Sequence, residues 1–75
     1  MIEPNVLEDR IKADLIGAEV RITSNDLVHY EAYVIFSGFK GKNLLEQHRM
    51  VYHALGDDMK TNIHAFKLKT QTPKE

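Results

Sequence analysis

Four histidines, at positions 29, 48, 53 and 64, give this chain its widest chemical reach. A neutral imidazole is a common ligand for zinc, copper and iron. Two imidazoles alone do not close a tetrahedral site, and the chain has no cysteine to add. A metal held here needs further ligands from another molecule. The second group is Gly38-Phe39-Lys40-Gly41, with Lys42 and Arg49 following. Backbone amides between such glycines, flanked by cations, can cradle a phosphate; the same glycines also serve a tight turn. Nucleophilic catalysis has little to work with. Ser24 and Ser37 lack a base with a group to orient it, and the acidic pairs Glu8/Asp9 and Asp57/Asp58 fall on a solvated helix face and in a turn. No enzyme is expected.

The elements that must position these side chains follow from periodicity. Pro4 suits the first turn of a helix, where its missing N–H costs nothing. Leu7, Ile11 and Leu15 recur every four residues with Glu8, Asp9, Arg10 and Lys12 between them, which predicts an amphipathic helix. Gly17 ends it. Residues 18–23 alternate Val20 and Ile22 with Glu19 and Arg21, a half-buried strand. Ser24, Asn25 and Asp26 form a turn that leads through Leu27, Val28 and His29 into a second strand over 30–36. That strand carries bulk on both faces, as a central strand does. After the glycine loop, Asn43 caps a helix whose apolar face is Leu44, His48, Val51, Tyr52 and Leu55. Gly56, Asp57 and Asp58 end or interrupt it, and Met59 to Thr61 can add a turn. The third strand spans 62–70, with His64, Phe66 and Leu68 on one face, and 71–75 form a short frayed tail.

The predicted order is helix, strand, strand, helical segment, strand. A short link makes the first two strands antiparallel. About twenty-five residues containing a helix separate the second from the third, which is the crossover of a parallel pair. Right-handed crossover puts both helices on one face of a three-stranded mixed sheet and leaves the other face open. Seventy-five residues make one domain, 1–75, burying roughly 60% of the surface its unfolded chain exposes. With 43% hydrophobic and 28% charged residues it reads as globular. A net charge of −1 gives no global pull toward DNA or membranes. No apolar run is long enough to span a bilayer, and the N-terminus lacks the layout of a signal peptide. A soluble cytoplasmic domain, monomeric when alone, is the expectation.

Parallel strands start at the same end of a sheet. His29, just before the second strand, and His64, at the head of the third, therefore meet at one edge, thirty-five residues apart in sequence. Two readings stand for His64: a structural residue hydrogen-bonded at a strand end, or half of a metal site. A partner bringing thiolates would complete a shared iron–sulfur centre of the kind in which two histidines replace two cysteines on one iron. His48, on the apolar side of its helix, reads as a satisfied core or boundary residue. His53 faces solvent.

Phe39-Lys-Gly41-Lys-Asn-Leu-Leu-Glu-Gln-His48-Arg49-Met-Val51-Tyr52, followed by Ile63-His64-Ala65-Phe66, resembles the BolA family. The likeness covers most of the chain from Glu19 onward, while the first helix fits by pattern only. It implies an α+β, BolA/KH-like domain of order αββααβ, which splits the middle helical segment in two. It also implies a partner, a monothiol glutaredoxin, with which the protein and glutathione hold a [2Fe–2S] cluster in iron homeostasis and iron–sulfur trafficking. His64, in the Ile-His-Ala motif, is then a cluster ligand. The loop before the second strand supplies the other, which by position is His29. The sequence departs from the family at Gln47, where an arginine stands, and at Phe66, where a leucine does; the His29 loop also has no glycine.

The alternative from another class is a DNA-binding regulator using the KH-like face, with Lys40, Lys42 and Arg49 around the glycine loop and Lys67 and Lys69 beyond. The net charge and Gln47 count against it. Self-association through the open sheet face is a third reading.

Overall fold

A computed structural model of the chain describes residues 2–56 and 65–74. Helix α1 runs from Pro4 to Asp14 and is followed by β1 (Glu19–Thr23) and β2 (His29–Ile35). A single 3₁₀ turn, Ser37–Phe39, then leads to α2 (Leu44–Leu55) and β3 (Ala65–Gln71). The three strands form one sheet in the order β1-β2-β3, β1 antiparallel to β2 and β2 parallel to β3. This is the predicted mixed sheet with its two-faced strand in the middle. The second half of the split middle helix, and the turn expected over Met59 to Thr61, lie outside the described residues.

Alternation sorts the sheet into two faces. Val20, Ile22, Tyr30, Ala32 and Val34 are buried in one cluster with Leu7, Ile11 and Leu15 of α1 and Val51 and Leu55 of α2. Glu19, Arg21, His29, Glu31, Tyr33, Lys67 and Lys69 are exposed on the other face. Both helices therefore cover the same side.

Three local devices hold the elements in place. Leu15 N–H donates to Ile11 O at 2.8 Å as α1 ends, and Gly17, at φ +88°, turns the chain into β1. Glu8, expected on a solvated face, instead accepts the Ile22 N–H at 2.8 Å and so occupies a donor on the edge strand β1. Asn43 and Glu46 cap α2 reciprocally: Asn43 Oδ1 accepts Glu46 N–H at 2.8 Å, and Glu46 Oε1 accepts Asn43 N–H at 3.0 Å. Such a cap contributes about 0.5–2 kcal/mol.

Strand bounds and one helix face differ from the periodicity reading: β1 opens at Glu19 and β2 spans His29–Ile35, each one residue off the expected 18 and 30–36. Strand β3 extends through Gln71, which pairs with Ile35 and accepts the Phe36 N–H at 3.0 Å, so the tail begins one residue later. Leu44 is 61% exposed and does not join the apolar face of α2. It lies at the open edge of the sheet in a groove with His48, Leu68 and Thr70, where no further strand among the described residues covers it. No helix among the described residues is long and apolar enough to cross a membrane.

Candidate functional site

The turn between β1 and β2 is built around two side chains. Asp26 Oδ1 accepts the backbone N–H of both Val28 and His29, each at 2.9 Å. Ser24 Oγ accepts the Leu27 N–H at 2.9 Å and donates to His29 O at 2.7 Å. These short polar side chains replace the chain's own hydrogen bonds through the turn, as Asx and Ser turns do. They also hold Leu27 at φ +59°, a left-handed conformation that leucine rarely adopts. His29 leaves the turn already in the sheet: it is the first residue of β2 rather than the residue before it.

The second Asp26 oxygen, Oδ2, lies 2.8 Å from His29 Nδ1. The histidine side chain is otherwise open, at 68% exposure. The His29 N–H, the His29 ring and the Val28 N–H, in that order, hold the Asp26 carboxyl well below the usual carboxylate range. A cleft of about 440 Å³ opens beside this turn, with Asp26, His29, Glu31 and Lys67 among its walls.

Parallel pairing sets what stands next to His29. Its register partner is Ala65, the first described residue of β3, and Tyr30 pairs with Phe66. The described portions of both strands thus begin at one end of the sheet, as the crossover predicted. His64, the residue before Ala65, lies outside the described residues. Among those described, no three His, Cys, Asp or Glu side chains gather to hold a metal ion. The donor set fits a shared centre only as a contributor: His29 has Nδ1 engaged and its ring open to solvent, and sulfur must come from elsewhere.

The remaining sequence candidates are placed as follows. Lys40 and Lys42 are exposed on the glycine loop, and Arg49 is exposed in a groove with Asp14, Leu15 and His53. Four amides in and just after the loop are already engaged. Phe39 N–H donates to Phe36 O, Lys40 N–H to Ser37 O and Lys42 N–H to Phe39 O, at 3.0–3.2 Å, and Asn43 N–H is taken by Glu46. The glycines serve the turn, Gly41 at φ +81°. His53 is exposed, as expected. His48 is half-buried and edge-on to Tyr52, but its Nε2 is buried without a hydrogen-bond partner among the described residues, so there it is not the satisfied residue its position suggested. Gln47 is not merely a missing cation. Its Nε2 donates to Lys42 O at 2.9 Å and its Oε1 accepts from Thr70 Oγ1 at 2.6 Å, tying the loop to β3.

Sequence reasoning missed Asp26. It read Ser24-Asn25-Asp26 only as turn formers, although an aspartate three residues before a histidine, across a tight turn, is close enough to reach the ring.

An antiparallel hairpin joined to a parallel crossover, with both helices on one face, defines a small α+β domain that presents an imidazole at the rim of its sheet. The chain belongs to the BolA-like protein family, whose family model matches residues 8–75. A BolA protein homologue from Coxiella burnetii has the same fold, with a TM-score of 0.83 and 38% identity, covering 97% of this chain and 94% of that one. "Protein BOLA1, chloroplastic" of Arabidopsis thaliana is 33% identical over 70 residues, which are 93% of this chain and 44% of that protein. "DNA-binding transcriptional regulator BolA" of Escherichia coli (strain K12) is 36% identical over 47 residues, 63% of this chain and 45% of the regulator. The chain thus spans less than half the length of the Arabidopsis relative.

Proposed function

We propose that this protein is a non-enzymatic adaptor that binds a monothiol glutaredoxin and lends His29 and His64 to a [2Fe–2S] cluster completed by the partner's thiolate and glutathione. The observation that carries the reading is the register pairing His29, a clamped and solvent-facing imidazole, with Ala65, the last residue of the Ile-His-Ala motif, in parallel strands. The cluster, when bound, supplies electron-transfer and iron-donating chemistry. This chain's part is to present neutral nitrogen donors, which leave the iron they bind with less negative charge than thiolates do and raise its potential. The absence of cysteine keeps the chain from forming disulfides with the partner.

The test is to add the protein to a cluster-loaded, glutathione-bound monothiol glutaredoxin and record visible absorption and circular dichroism. The wild type should change the spectrum at a one-to-one ratio. His64→Ala should abolish that change, and His29→Ala should reduce or alter it. A spectrum untouched by the wild-type protein overturns the reading.

A second reading, nucleic-acid binding, has one observation in its favour beyond the Escherichia coli relative's name. On the open face, Tyr33 is flanked in register by Arg21 and Lys69, an exposed aromatic ring between two cations. If this face or Lys40, Lys42 and Arg49 contact phosphates, affinity for a labelled oligonucleotide should fall steeply with salt, and each lysine-to-glutamine change should lower the slope by about one. Absence of binding at low salt excludes it.

A further inference from the structure

The geometry around His29 points to a residue that decides which ring nitrogen is offered to a metal. We infer that Asp26 is a positioning residue: it accepts a hydrogen bond from His29 Nδ1–H, keeping the proton on that nitrogen, and so leaves the Nε2 lone pair as the donor toward a bound metal. The inference rests on the cluster reading for its metal, but its geometric core concerns this chain alone.

An ionised carboxylate only accepts hydrogen bonds, so the 2.8 Å contact between Asp26 Oδ2 and His29 Nδ1 requires a proton on Nδ1. In a neutral imidazole the other nitrogen then carries the lone pair. The carboxylate is not free to swing away or to become a ligand itself. Its other oxygen is occupied by the Val28 and His29 amides, at 2.9 Å each. Ser24 Oγ fixes the far side of the same residue by donating to His29 O at 2.7 Å. His29 is thus held at its backbone N–H, its carbonyl and its ring by two side chains, Asp26 and Ser24, from the turn that precedes it. The carboxylate–histidine pairing is the arrangement that orients metal-bound histidines and sets their tautomer, and its loss typically costs about 10- to 100-fold in metal affinity.

Asp26→Asn discriminates this role from a purely structural one. The amide oxygen can still accept the two backbone N–H groups, while the NH₂ now faces Nδ1 as a donor. The turn persists and the proton moves to Nε2. With ¹⁵N-labelled imidazole, long-range ¹H–¹⁵N correlation of the metal-free protein at a pH where His29 is neutral should show Nε2 as the unprotonated nitrogen in the wild type. In Asp26→Asn it should be Nδ1. Amide shifts of Tyr30 to Ile35 should stay in place, and Asp26→Ala should give a mixture of tautomers. In the glutaredoxin titration, Asp26→Asn should need about 10- to 100-fold more protein to reach the same spectral change. A wild-type ring protonated on Nε2, or an Asp26→Asn ring unchanged from the wild type, overturns the assignment. So does a cluster spectrum sensitive to His29→Ala but indifferent to Asp26→Asn. A cluster spectrum indifferent to His29→Ala, with the tautomers as expected, instead removes His29 from the ligand set and leaves its clamp by Asp26 intact.

Discussion

Phe39→Ala is expected to cost about 3–5 kcal/mol, the range for deleting a fully buried phenylalanine. A chain of this size holds roughly 0.05–0.15 kcal/mol per residue, so this single truncation removes a large share of the total. Phe39 is 0% exposed although it sits between two glycines in a loop. Its ring meets Phe36 edge-on, with centroids 5.4 Å apart and planes at 87°, a pairing worth about 0.5–1.5 kcal/mol beyond the area it buries. Its carbonyl accepts the Lys42 N–H, so the residue both plugs the core and shapes the entry to α2. Gly38 belongs to the same arrangement, because a Cβ there would collide with the Phe36 ring. Urea unfolding monitored by far-UV circular dichroism measures the loss. Phe39→Leu, which keeps most of the volume, should restore much of it. A cost below about 1 kcal/mol for Phe39→Ala would mean the loop packs independently of the core.

Phe39 also marks where sequence reading stops. Helix α1 and strand β1 were legible because their partners lie within the same element: Leu7, Ile11 and Leu15 at helical spacing, Val20 and Ile22 at strand spacing. The parallel crossover was legible from the length of the chain between strands. A loop phenylalanine has no period, and only the tertiary arrangement shows that it is buried. Leu44 errs in the other direction: helical spacing put it on the apolar face of α2, but that face extends past the sheet's edge. At the site, pairing of like-directed strands was readable and the clamp on His29 was not. Turn propensity says that Asp26 belongs in a turn; it does not say which donors its two oxygens meet. The same limit applies to Gln47, whose amide joins Lys42 to Thr70, a residue 23 positions further along the sequence than Gln47.

Tyr30→Phe should have a large effect for the loss of a single oxygen, because one hydroxyl joins the core to the site. Tyr30 is 1% exposed, and its oxygen lies 2.7 Å from Ile2 O, 2.9 Å from Leu27 O and 3.3 Å from Ile2 N. Its ring packs beside Phe66, its register partner in β3, at 6.5 Å between centroids. Removing the oxygen leaves ring packing intact but strands polar groups in a partly buried setting, which costs about 1–3 kcal/mol. For a domain of this size each kcal/mol corresponds to roughly 4–8 °C in melting temperature. The consequence for the site follows from Leu27. That residue is held in its left-handed conformation from two sides, by Ser24 Oγ on its N–H and by the Tyr30 hydroxyl on its carbonyl. Losing one of the two should loosen the segment from Ser24 to His29 while β1 and β2 stay paired. Hydrogen exchange can separate the outcomes: amides of Leu27, Val28 and His29 should exchange faster in Tyr30→Phe by more than the global destabilisation accounts for, and those of Val34 and Ile35 should not. Uniform acceleration of all these amides would mean that the hydroxyl supports the fold alone, and that Ser24 and Asp26 hold the turn without help from the core.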